Sequence, residues 1–181
     1  MKFTRRAARL TVGLGVAAML STTGALAATG ALAAPSAPRA PQCSSSHLTV
    51  WTGAQGDAAA GHAFFQVQIS NVGHRACSLF GYPGVSLLNN SGHQVGLAAS
   101  HSGAKPTVVL APRGTSHFVL TITDPFIVCA HPVKGSILRV FAPGAFHANQ
   151  TEFSASVCPH KVTLHVDAVH AGAGIPGFSV S

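Results

Sequence analysis

The sequence predicts an all-β fold, an antiparallel β-sandwich of about seven to eight strands closed by two disulfides. Three observations carry this expectation. Apolar and polar residues alternate with period two in short runs separated by Gly, Pro, Asn and Ser. Helical periodicity is hard to find after residue 43. Four cysteines, Cys43, Cys77, Cys129 and Cys158, are spaced too widely for a metal knuckle and suit staples instead.

Before the sandwich comes a segment with another purpose. Lys2, Arg5, Arg6 and Arg9 precede the apolar run from Leu10 to Leu20 and two Ala-x-Ala sites, Ala25-Leu26-Ala27 and Ala31-Leu32-Ala33. Residues 1–33 therefore read as a signal peptide cleaved after Ala27 or Ala33. The apolar run is about half of the roughly twenty residues a spanning helix needs, so no stable membrane anchor is expected. Pro41-Gln42 ahead of Cys43 does not make a lipidation box. Arg5-Arg6 raises twin-arginine export, but the apolar residues expected just after such a pair are missing, which favours general secretion.

Residues 34–42 (APSAPRAPQ) form a Pro/Ala-rich linker expected to be extended and solvated. Residues 43–170 are long enough for one domain with one core, and residues 171–181 are expected to be a flexible C-terminal tail.

Eight strand candidates follow in order: 47–52, 62–70, 85–89, 94–98, 107–110, 116–123, 137–141 and 161–169. In the second, Phe65, Val67 and Ile69 point one way and Gln66, Gln68 and Ser70 the other. In the sixth, Phe118, Leu120 and Ile122 face the core and His117, Thr121 and Thr123 face solvent. Asn89-Asn90-Ser91-Gly92 is a turn between two strand-like runs. Pro83, Pro106, Pro112, Pro125, Pro132 and Pro143 fall at strand ends or in loops, where a missing N–H costs no ladder bond.

Four cysteines allow three connectivities, and the sequence alone does not choose among them. If the first two strands are antiparallel neighbours, the chain before one lies beside the chain after the other. That favours Cys43 with Cys77 and leaves Cys129 with Cys158.

The motifs along this frame resemble those of the secreted actinobacterial proteins of the domain of unknown function 4232 family. The most specific stretch is Cys77-Ser78-Leu79-Phe80-Gly81-Tyr82-Pro83-Gly84-Val85. Cys43 ahead of a strand, Ala59-Ala60-Gly61-His62, Asn71-Val72-Gly73, Leu110-Ala111-Pro112, Leu138-Arg139-Val140, Cys129 and Cys158 extend the match over most of the chain after the signal. Arg113 departs from the pattern, standing where Gly is common. The resemblance implies an immunoglobulin-like sandwich exported to the envelope or medium, and it carries over no catalytic residue. Within the specific stretch, Gly81 and Gly84 permit tight backbone geometry and Pro83 fixes a bend, while Tyr82 can bury its ring and still pair its hydroxyl.

Charge and chemistry narrow the function. Past the signal, seven scattered basic residues stand against one Glu and three Asp, a net +3 with His neutral. No basic run or aromatic interleaving is present, so nucleic acid is not an expected partner. A hydrolase needs a nucleophile with an oriented base, or paired carboxylates, and neither pattern appears. His165 and Asp167 share a face of the last strand, which a solvated or salt-linked surface explains equally well. Trp51 and Tyr82 are the sole Trp and Tyr, so a flat aromatic platform is poorly supplied, and Trp51 reads as a packing residue.

Eleven histidines are the unusual inventory, yet no His-Glu-x-x-His or Cys-x-x-Cys occurs, and His160, His165 and His170 step by five. No metal site, cofactor or catalytic residue is expected, and Asn89-Asn90-Ser91 and Asn149-Gln150-Thr151 read as chance glycosylation sequons. The expected function is that of a non-enzymatic binding or structural module. Its expected partners are anionic envelope polymers or another envelope protein. The competing expectation is an extracellular Cu- or Zn-handling or weakly catalytic protein using converged histidines.

Overall fold

The computed structural model describes residues 39–174, with side chains at all of these except 54–57. The alternation becomes strand throughout, and no α-helix occurs among the described residues. In chain order the strands are β1 (Leu48–Ala59), β2 (His62–Asn71), β3 (Cys77–Phe80), β4 (Gly84–Leu88), β5 (Gln94–Val95) and β6 (Ser100–His101). They continue as β7 (Thr107–Leu110), β8 (Thr115–Thr123), β9 (Val133–Phe141), β10 (Asn149–Val157), β11 (Leu164–Val166) and β12 (His170–Ala171). Two 3-10 turns, Ser45–His47 and Pro125–Ile127, complete the regular structure.

One sheet has the order β1-β2-β8-β11-β6, with β12 also on β8; a second has β10-β9-β4-β5; β3 and β7 form a small third. Pairing is antiparallel except where β6 runs parallel to β11 and where Gln42 bridges Ser78. The inward faces of all three sheets meet in one core. Val67, Ile69, Phe118, Leu120 and Val166 come from the first, Val85, Leu87, Leu138 and Val140 from the second, and Leu79 and Leu110 from the small pair. In β8 the period-two expectation holds residue by residue, with Phe118, Leu120 and Ile122 buried and His117, Thr121 and Thr123 half-buried on the other side.

Both disulfides join the expected partners, Cys43 with Cys77 and Cys129 with Cys158. The first follows from the register. Leu48 pairs with Asn71 at the open end of the β1–β2 ladder, so the chain on either side is brought together.

Several expectations need correction. Among the described residues twelve strands form rather than seven or eight, although three of them are only two residues long. β3 and β10 were not expected, and β6 falls in a stretch read as loop. The strand expected over 161–169 pairs only at Leu164–Val166. β1 runs on through two register irregularities to Ala59, seven residues beyond its expected end. Gln68 does not face solvent: it is 0% exposed, and neither amide atom has a hydrogen-bonding partner. Part of the linker is tied down, because Ser78 N–H donates to the Pro41 carbonyl and Ser78 Oγ to that of Ala40. At the other end, His170–Ala171 pairs with β8, so strand structure continues into the expected tail. The signal segment and residues 175–181 lie outside the described residues.

Asn71 explains why two distant loops hold together. Its buried amide donates to the carbonyls of Arg75 and Ala111, and its Oδ1 accepts from Gly73 N–H. Its carbonyl accepts from Arg113 N–H. Arg113 sits there at φ 63°, a left-handed conformation costly for a side chain with a Cβ. Arg113→Gly is therefore expected to stabilise the fold by about 0.5–1 kcal/mol, the relief of strain exceeding the added chain entropy. A higher urea midpoint at unchanged slope checks it.

Candidate functional site

The loop between β3 and β4 brings Tyr82 together with His101 and Lys105. Gly81 turns the chain at φ 103°, with its N–H donating to the Pro106 carbonyl and its own carbonyl accepting from Val169 N–H. Gly84 needs no such freedom: it opens β4 opposite Phe141, and a Cβ there would make ordinary contact. Between them Pro83 is buried and Tyr82 half-buried. The Tyr82 hydroxyl donates to the Gly103 carbonyl.

β6 delivers the other half. His101 lies flat against Tyr82, ring centroids 4.5 Å apart and planes 12° from parallel. Lys105 Nζ stands 6.0 Å from the Tyr82 centroid, at the outer limit for a cation over an aromatic face. Because β6 runs parallel to β11 with Ser100 opposite His165, the His165 imidazole falls between two hydroxyls. Ser100 Oγ is 3.1 Å from Nδ1 and Ser102 Oγ 3.3 Å from Nε2. A neutral imidazole has one N–H, so it donates to one serine and accepts from the other.

Tyr82, His101 and Lys105 line a shallow hollow with Phe80 at its rim. Phe80 also lines a second hollow with Arg39, Ala40 and Val109, so the two are adjoining parts of one surface. No acidic residue lines either one.

Two of the carboxylates are engaged elsewhere. Asp167, expected on the face of His165, instead accepts from Val119 N–H at 2.6 Å and sits 3.3 Å from His170 Nε2. His165 thus meets serines without a carboxylate to orient it, an arrangement suited to hydrogen bonding rather than to nucleophile activation. Asp124 caps the Pro125–Ile127 turn through Phe126 N–H. The histidines are spread over the surface, with His117 and His170 closest in ring contact at 5.5 Å. No group of three or more His, Cys, Asp or Glu is placed to hold a metal ion among the described residues.

The family profile for the domain of unknown function DUF4232 matches residues 43–170. The chain belongs to this family. A search of curated proteins found no match.

Within the family's most specific stretch, Cys77 bonds Cys43, and Leu79 and Val85 enter the core. Tyr82 does more than pack, because its ring is the floor on which His101 lies. The two sequon asparagines are structural: Asn89 Oδ1 accepts from Ser91 and His93 N–H, and Asn149 donates to the carbonyls of Ser45 and Leu48. Ser100, His101, Ser102 and Lys105 were not identifiable as site residues in the sequence.

Proposed function

We propose that this protein is an exported, non-enzymatic module of an actinobacterial envelope or its surroundings, and that it binds anionic polymers. One observation carries the binding part: the adjoining hollows bring together Lys105, Arg39, His101 and exposed aromatic surface with no carboxylate in their lining. Such a surface attracts anions because nothing of opposite sign offsets its cations. Export is supported by the basic and apolar leader and its Ala-x-Ala sites. Two disulfides among four cysteines fit an oxidising compartment, and no helix of the described residues is long and apolar enough to cross a membrane.

Retention on an anionic polymer resin is therefore expected at low salt and is expected to weaken with added salt. The protein should be taken from culture medium, where its N-terminus is expected at Ala28 or Ala34. Retention indifferent to salt would sink the binding proposal. A stoichiometric Zn or Cu ion surviving dialysis would favour a metal-handling role built on the histidines.

A further inference from the structure

Phe80 is unusual for its position. It ends β3 beside a disulfide-tied core, yet its side chain is 61% exposed, and its ring separates two hollows that each contain a cation. Arg39 lies on one side and Lys105 on the other, with Val109, 59% exposed, extending the apolar ground. Apolar side chains of this size are usually interior, and an exposed one flanked by charge marks a contact surface. The other prominent aromatic in a hollow makes a useful contrast. Phe126 is 74% exposed but shares its hollow with Asp124, whose carboxylate repels an acidic ligand.

We propose that the Arg39–Phe80–Lys105 surface binds an acidic polysaccharide, with Phe80 stacking on the apolar face of a sugar ring and the two cations meeting anionic groups on either side. This rests on the anionic-polymer proposal and names the class of polymer. Charge alone would not distinguish a sugar chain from any other polyanion. The exposed ring does, because a pyranose presents a flat patch of C–H groups that an aromatic face can cover, whereas an acidic polypeptide has no such repeating patch. The surface is largely preformed. The Tyr82–His101 stack and the Tyr82–Gly103 hydrogen bond hold the loop beneath it, which limits the ordering cost of binding.

Binding isotherms at low salt against immobilised polygalacturonate, polyglutamate and neutral dextran test this. Polygalacturonate is expected to bind most tightly. Phe80→Ala should weaken that binding tenfold or more while leaving polyglutamate binding unchanged, because only the sugar polymer uses the ring. Arg39→Glu and Lys105→Glu should each weaken both acidic polymers by a similar factor. All three residues are exposed at the surface or rim, so unchanged thermal midpoints are expected to show that each variant is folded. Equal loss of both polymers in Phe80→Ala, or no loss of polygalacturonate, overturns the proposal. So does dextran binding as tight as polygalacturonate binding, or loss in Phe80→Ala without loss in Lys105→Glu. If both acidic polymers bind and Phe80 is irrelevant, only the sugar assignment fails. If neither binds, the anionic-polymer proposal fails with it.

Discussion

Replacing Cys43 and Cys77 together by alanine lowers the unfolding free energy by about 3.5–4 kcal/mol. The bond joins residues 34 apart in sequence, and its removal restores to the unfolded chain the freedom that the closed loop denies it. Cys129–Cys158, closing a span of 29 residues, is expected to contribute nearly as much. Set against a typical domain stability of about 5–15 kcal/mol, losing both leaves a marginal fold. Urea denaturation of the oxidised protein and the double-alanine variant checks this. A midpoint that does not move would mean that the unfolded chain is already confined by residual contacts.

Phe118→Ala is expected to cost about 3–5 kcal/mol. Phe118 is fully buried on the central β8, where it belongs to the core shared by all three sheets. Removing the ring forfeits its transfer free energy and leaves a cavity that paired strands on both sides of β8 keep from collapsing. Val109→Ala is the natural control, because Val109 lies on the outer face of a two-stranded pair and little burial is lost there. Equal effects of the two substitutions would contradict the assignment of Phe118 to the core.

What the sequence reveals here depends on how local the cause is. β2, β7 and β8 were legible because one face of each is apolar along its length, even where a second apolar residue such as Phe64, Val109 or Val119 stands on the other face. β10 was not, since Asn149–Val157 offers only Phe153 and Val157 as large apolar residues and the rest reads as surface. β3 was hidden inside a stretch punctuated by Gly and Pro. β1 extends through Gly53 and Gly56, poor strand formers carried along by pairing with β2. The burial of Gln68 runs against its residue type. It follows from the lateral neighbours that pairing supplies, Trp51 on one side and His117 on the other, which no pattern within β2 reveals.

The candidate site was legible only in part. Tyr82 was visible within the family's motif. His101 and Lys105 reach it through a two-residue parallel pairing far too short to leave a periodic signal. Phe80, 61% exposed, drew no attention because only Trp and Tyr were weighed as platform residues. His165 and Asp167 alternate with buried neighbours as their spacing suggests, but the carboxylate is taken up by Val119 N–H and His170 while the imidazole meets Ser100 and Ser102.

Trp51 donates from Nε1 to Ser70 Oγ at 3.1 Å, and Ser70 Oγ lies 2.8 Å from Thr115 Oγ1, so one indole is linked across β1, β2 and β8. It is the chain's sole tryptophan. The molecule therefore carries its own optical gauge: indole emission reports the integrity of this three-strand ladder. The sole tyrosine, lodged under His101 in the β3–β4 loop, gives a second and spectrally separable signal at the candidate site. Unfolding of the sheet and disturbance of the loop can thus be told apart in one unlabelled sample.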